Sequence, residues 1–316
     1  MKGILVSIIP SYLCHYNCPF CFLGNLRKNN TLLDLGILRQ RLLTISQEYK
    51  ITQIDLFGGE LGELNKNYLK KLVNTCIAFS PKIITVTTNF LNDVCLNLVK
   101  EYEDKVNIVL NISLNKERLK NPLVEWRVEE YLRKKQLPKH TELAYVVLPS
   151  VLNENKIELL NKLETFKLPV IFYKYNQSIL NSCYNIPNEI YSNFIKQLIF
   201  LYKQNSYTFP LGNLELLNCN NNPTLESNIF INPEGKFGWI SYLANKEFYK
   251  YTNNFNDWKE AVFKDISLYA KNCSNCKYYY NRCQAEHLNY NRNKECCGLK
   301  GVLDFYDSKA YLYKNN

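Results

Sequence analysis

Short apolar runs rich in Ile and Val alternate with amphipathic stretches through the first 180 residues, the pattern of successive β-α units around a parallel sheet. The runs predict strands near residues 3–9, 52–57, 82–88, 106–114, 141–148 and 169–175. Leu35, Leu38, Leu42 and Ile45 recur at helical spacing, as do Leu69, Leu72, Cys76 and Phe79, and then Val94, Cys95, Leu98, Val99 and Tyr102. Those stripes predict helices with one face on a core, so Cys76 and Cys95 read as small core hydrophobes. Strand runs apolar on both faces predict burial from both sides, by helices outside and by packed or ligand-binding residues inside. Six such units predict an α/β fold, a partial (β/α)6 barrel whose site lies at the carboxyl ends of the strands.

After about residue 180 the rhythm changes. Ile190, Phe194, Leu198 and Leu201 predict a bridging helix within 181–212, followed by an Asn-rich loop at 218–222. A hairpin is expected next, 229–231 against 236–239 about the turn Asn232-Pro233-Glu234-Gly235. The expected organisation is a barrel core over 1–180, the bridge over 181–212, and a small cysteine-rich α+β domain over 213–316. No low-complexity linker separates them, so the last region should pack on the first.

Composition narrows the class. With 316 residues and 46% hydrophobic positions the chain can bury a large core. The net charge of +10, from 39 basic against 29 acidic residues, is scattered and reads as a solvated surface; no basic arm or nucleic-acid motif accompanies it. The apolar run Ile4–Ile9 is too short to span a membrane or act as a signal, and Pro10 ends it. Twelve cysteines are too sparse for a disulfide scaffold and too clustered for chance, which fits a reducing cytoplasm where thiols take metal.

Three of those cysteines, Cys14, Cys18 and Cys21, stand at C-x3-C-x2-C directly after the first predicted strand. Three thiolates on one loop can bind three irons of a [4Fe–4S] cube and leave the fourth open, since such clusters normally take four cysteines. Zinc is the competing occupant, but it closes a four-ligand shell and would need His15 or a distant residue. His15, His140 and His287 otherwise form no triad or ligand set.

The C-x3-C-x2-C loop, with Phe20 just before its last cysteine, resembles the signature of the radical S-adenosylmethionine superfamily. The resemblance implies that Cys14, Cys18 and Cys21 ligate a [4Fe–4S] cluster, that S-adenosyl-L-methionine chelates the open iron, and that Phe20 lies near the adenine. It further implies that Gly58-Gly59-Glu60, after the second strand, contacts the methionine amino group. Relatives often carry Thr-Asn-Gly and Ser-Leu-Asp after the third and fourth strands. Here Thr88-Asn89-Phe90 and Ser113-Leu114-Asn115 stand there, making Asn89 and Ser113 candidate cofactor contacts, although short polar residues at strand ends also serve as caps.

Near the C-terminus, Cys273-x2-Cys276-x6-Cys283 and Cys296-Cys297-Gly298 resemble the SPASM and Twitch extensions, which hold auxiliary clusters. In that pattern Cys219 and the Gly235 turn fall in place, but Ile240 and His287 stand where a first auxiliary cluster needs cysteine. The resemblance therefore implies two clusters in total, the second on Cys273, Cys276, Cys283 and one of the 296/297 pair, assigned to Cys296. A four-cysteine zinc ribbon remains the alternative occupant. Cys297 or Cys219 is then available as a thiol that donates a hydrogen atom to a substrate radical.

By resemblance the chain is an oxidoreductase that cleaves S-adenosylmethionine reductively to a 5′-deoxyadenosyl radical and abstracts hydrogen, most consistently crosslinking or epimerising a ribosomally made precursor peptide. Alternatives are dehydrogenation or rearrangement of a small molecule, or a non-enzymatic iron–sulfur, zinc or electron-transfer protein. The barrel's first strand begins almost at once, so a separate recognition protein or the barrel mouth itself is expected to bind the peptide. An external donor such as flavodoxin or ferredoxin is expected to reduce the cluster.

Overall fold

The computed structural model describes residues 1–16, 18–21, 23–115, 123–174, 184, 186–214, 228–240, 249–273, 276 and 300–309. Six strands, β1 Lys2–Ile8, β2 Tyr49–Leu56, β3 Ile83–Thr88, β4 Ile108–Ser113, β5 Thr141–Val147 and β6 Val170–Lys174, pair in parallel in chain order. Each overlaps its predicted run. Helices α1 Leu35–Glu48, α2 Lys66–Ile77 and α3 Val94–Tyr102 lie on the predicted stripes, and α4 Leu123–Arg133, the short α5 Pro149–Leu152 and α6 Lys156–Phe166 continue the alternation.

Three of these helices, α1, α2 and α6, begin where a side chain accepts their free amide protons. Asp34 accepts from the Ile37 amide, Asn65 from those of Asn67 and Tyr68, and Asn155 from those of Ile157 and Glu158. Leu38, Leu42, Ile45, Leu69, Leu72, Cys76 and Cys95 are all completely buried. Both lone cysteines are thus core residues, and burial pushes the Cys76 thiol up to about 12.

The strands differ from the expected two apolar faces. Register places Ile54, Ile84 and Ile108 in one row on the helix-covered face, while Ser7, Asp55, Thr85 and Val109 form the row opposite. Thr87, Asn111 and Glu142 form a second inner row. The barrel wall is therefore largely polar and hydrogen-bonded: the Gln53 amide donates to Asp55 at 2.8 Å and the Asn111 amide to Glu142 at 2.5 Å. Burial raises the Asp55 carboxyl above its ordinary range, against the lowering effect of hydrogen bonds from Gln53 and Thr85.

Helix α7, Asn188–Gln204, carries a buried stripe of Tyr191, Phe194, Ile195, Leu198 and Ile199. Ile190, expected on that stripe, is 47% exposed because the buried arc is centred one residue later. The expected hairpin is present as β7 Asn228–Ile231 and β8 Phe237–Ile240, with Gly235 at φ +72. It extends the barrel sheet rather than starting another: β7 pairs in parallel with β1, and β8 and an unpredicted β9, Tyr249–Thr252, follow antiparallel. Arg41 of α1 fastens the turn, donating to the Gly235 carbonyl at 2.7 Å and lying over Phe237. Helices α8 Phe255–Cys273 and α9 Lys300–Asp307 complete the described chain, and among the described residues no helix is long and apolar enough to cross a membrane.

Candidate functional site

At the carboxyl edge of the sheet the cysteine loop lies along the end of β2. The Phe57 amide donates to the Ile8 carbonyl at 3.1 Å, Gly59 to Ser11 at 3.0 Å and Glu60 to Leu13 at 3.0 Å. A Cβ on Gly59 would stand 2.0 Å from the Leu13 oxygen; Gly58 takes φ +135, and its Cβ would meet Ile9 at 2.6 Å. The glycine pair thus admits the backbone of the cysteine loop against β2. Further along, the Cys14 amide donates to the Arg27 carbonyl at 3.1 Å, and the His15 amide to Glu63 at 3.0 Å. His15 Nδ1 lies 2.5 Å from the same carboxylate.

Cys14, Cys18 and Cys21 are in no disulfide; Cys18 is buried and the other two are half-buried. The Cys14 thiol is pushed up to about 12, chiefly by burial and then by the negative charges of Glu63, Cys18 and Glu60. A thiolate there needs a cation to offset those charges, and metal binding would displace the proton. Among the described residues no three His, Cys, Asp or Glu side chains converge closely enough to hold a metal ion. The loop thus gathers three thiols on eight residues without drawing them to a point. Their number and kind suit three corners of an iron–sulfur cube. Phe20, 5% exposed, packs edge-to-face on Tyr184 with centroids 6.2 Å apart.

Glu60 is turned inward. Its carboxylate accepts from the Thr88 hydroxyl at 2.6 Å and from the amides of Asn89 and Gly62, each at 2.9 Å. It therefore ties the ends of β2 and β3 together. Asn89 is 4% exposed, and its Oδ1 is buried with no hydrogen-bond partner among the described residues; such an acceptor calls for a donor. Phe90, where relatives carry glycine, adopts φ +58 and is fully buried.

Ser113, 2% exposed, ends β4. Two residues on, Asn115 grips β5 with both ends of its amide, donating to the Val146 carbonyl at 2.7 Å and accepting from the Val146 amide at 2.8 Å. Aspartate cannot make the first bond, so Asn115→Asp sets an anion against a carbonyl in a site 1% exposed. Urea denaturation is expected to show a loss of about 2–3 kcal/mol, against about 1 for a surface exchange such as Asn205→Asp; equal losses would dismiss the latch.

Of the C-terminal ligand candidates, Cys273 ends the backbone of α8, and Cys276 is half-buried against the core. Cys219, Cys283, Cys296 and Cys297 lie outside the described residues, as does His287. Sequence reasoning missed the support given by Glu63, Arg27 and Arg127. No local pattern marks these residues, because each acts on a partner brought near only by folding.

No family model matches the chain, and no curated protein matches it. Solved structures do. Native anSMEcpe with bound AdoMet and Cp18Cys peptide is 15% identical with a TM-score of 0.65, covering 97% of this chain and 95% of that one. SuiB of Streptococcus suis bound to precursor peptide SuiA is 15% identical with a TM-score of 0.60, covering 100% and 75%; SuiB bound to S-adenosylmethionine gives 0.59. The fold is that of anSMEcpe and SuiB, an α/β partial barrel around a parallel sheet. At this identity the likeness is one of fold.

Proposed function

We propose that the chain is a radical S-adenosylmethionine enzyme acting on a peptide. The observation that carries this reading is the seating of Ile8–Leu13, the segment that leads into the Cys14–Cys21 loop, on Phe57-Gly58-Gly59-Glu60 at the carboxyl edge of a parallel sheet of this fold. A [4Fe–4S] cluster on Cys14, Cys18 and Cys21 would supply, through its open iron, the electron that splits S-adenosylmethionine into methionine and a 5′-deoxyadenosyl radical able to take hydrogen from substrate. The chain's own residues do the holding. The ladder from Ile8 to Leu13 fixes the loop, Phe20 lies beside the adenine, Asn89 Oδ1 accepts from a donor of the nucleoside, and the Ser113 hydroxyl meets its ribose or carboxylate.

A peptide substrate is favoured because anSMEcpe and SuiB of the same fold were solved with the Cp18Cys and SuiA peptides. The same proposal places a second cluster on Cys273, Cys276, Cys283 and Cys296, and a hydrogen-donating thiol at Cys297 or Cys219. An external one-electron carrier such as flavodoxin or ferredoxin would serve as reductant. The deciding experiment incubates the anaerobically reconstituted, dithionite-reduced protein with S-adenosylmethionine: 5′-deoxyadenosine is expected, and its absence would remove the enzymatic reading.

Metal analysis of the same sample separates the C-terminal alternatives. About eight irons per chain are expected for two cubes. About four irons with one zinc would make the C-terminal site a zinc ribbon, and about twelve would require a further cluster.

A further inference from the structure

Phe90 is held in the left-handed region, at φ +58, by contacts from outside its own loop. Arg127 of α4 donates through Nε to the Phe90 carbonyl at 2.9 Å, and its guanidinium carbon lies 5.2 Å from the Phe90 ring centroid and 5.4 Å from that of Tyr131. The same guanidinium pairs with Asp93, whose Oδ1 also accepts from the Tyr131 hydroxyl at 2.6 Å. Phe90 and Tyr131 meet edge-to-face at 5.5 Å. On the other side of the turn, Glu60 accepts the Asn89 amide and the Thr88 hydroxyl.

Asn89 therefore sits between two clamps, and between them its Oδ1 stays buried, with no partner among the described residues. A loop free to relax would carry such an acceptor to water or to a neighbouring amide. Glycine takes a left-handed turn without help, whereas phenylalanine does not. Here the fork of one arginine, bonding a carbonyl and a carboxylate at once and covering a ring, supplies that help.

We infer that Arg127 is a positioning residue for the nucleoside cofactor, fixing the left-handed turn at Phe90 so that Asn89 presents its oxygen already dehydrated; this rests on the reading that Asn89 faces S-adenosylmethionine. The contacts of Arg127 are with Phe90, Asp93 and Tyr131, so its effect should fall on affinity and not on the bond-breaking step.

The test uses the reconstituted full chain. For Arg127→Met, equilibrium dialysis should show S-adenosylmethionine bound about ten- to thirtyfold more weakly, with the rate of 5′-deoxyadenosine formation at saturation within about twofold of the parent. Amide exchange at residues 90–93 should quicken without added cofactor. Arg127→Lys should fall between, about threefold weaker, since a point charge cannot serve both acceptors. Adding Phe90→Gly to Arg127→Met should bring affinity back to within about threefold of Phe90→Gly alone; if that pair fails to melt cooperatively, the Lys and Met variants decide. Unchanged affinity and exchange in Arg127→Met would overturn the inference, as would a folded glycine pair that regains nothing. A parent protein that retains no S-adenosylmethionine would instead sink the cofactor reading beneath it.

Discussion

Cys18→Ala is expected to stop S-adenosylmethionine cleavage, lowering 5′-deoxyadenosine formation by at least about a thousandfold, equivalent to roughly 4 kcal/mol or more of barrier. Two thiolates cannot hold a cube that needs three protein ligands and one open iron, so iron should fall by about four per chain. The fold should survive. Cys18 is a small, 8% exposed side chain on a loop held by backbone bonds at Ser11, Leu13 and Cys14, so circular dichroism and the melting transition should stay close to the parent's. Cys283→Ala should leave cleavage intact and impair turnover of peptide. If the Cys18 variant cleaves the cofactor while the Cys283 variant does not, the two sites have been assigned the wrong way round.

Gly59→Ala should be the most damaging exchange of a single hydrogen for a methyl group in the described chain. The new Cβ would lie 2.0 Å from the Leu13 oxygen and 2.7 Å from its carbonyl carbon, both backbone atoms that cannot step aside. To fit it, the cysteine loop must lift from β2 and give up the Gly59–Ser11 and Glu60–Leu13 bonds. Overpacking and two broken buried bonds together come to about 3–5 kcal/mol, and iron loading should fall with them. Gly301→Ala is the control: in α9 a Cβ meets only the end of the Lys196 side chain, at 3.2 Å, so helix propensity should make it neutral or up to about 1 kcal/mol stabilising. Denaturant titration of both variants gives the comparison, and equal effects would mean the loop does not need that close approach.

The elements most legible in the chain were those with local, repeated causes. Apolar runs marked strands β1 to β6, and the stripes through Leu38, Leu42 and Ile45 or Leu69, Leu72 and Cys76 marked the helices over them. Residues acting through distant partners were invisible. Asn115 looked like a departure from a motif until Val146 stood opposite both ends of its amide. Glu60 belongs to a motif expected to contact the methionine amino group, and only folding shows that its carboxylate also accepts from Thr88, Asn89 and Gly62.

Two misreadings have plain physical sources. Ile190 was placed on the buried stripe of α7 because periodicity gives a spacing but not its phase, and the tertiary neighbours set that phase one residue away. The inner barrel wall was expected to be apolar because whole-strand composition hides alternation: Ser7, Asp55, Thr85 and Asn111 are separated by the large residues that face the helices.

By itself the sequence determined the succession of β-α units and the place of three cysteines just after the first strand, because hydrophobic period and ligand spacing are properties of neighbours along a chain. Only the tertiary structure decided that Gly59 serves the Leu13 carbonyl, that Glu60 braces β3, that Arg127 holds a left-handed phenylalanine, and that the late hairpin joins β1 in one sheet. Each of these depends on the closing of long loops, and the energy of such contacts resides in pairs of residues that no local stretch contains.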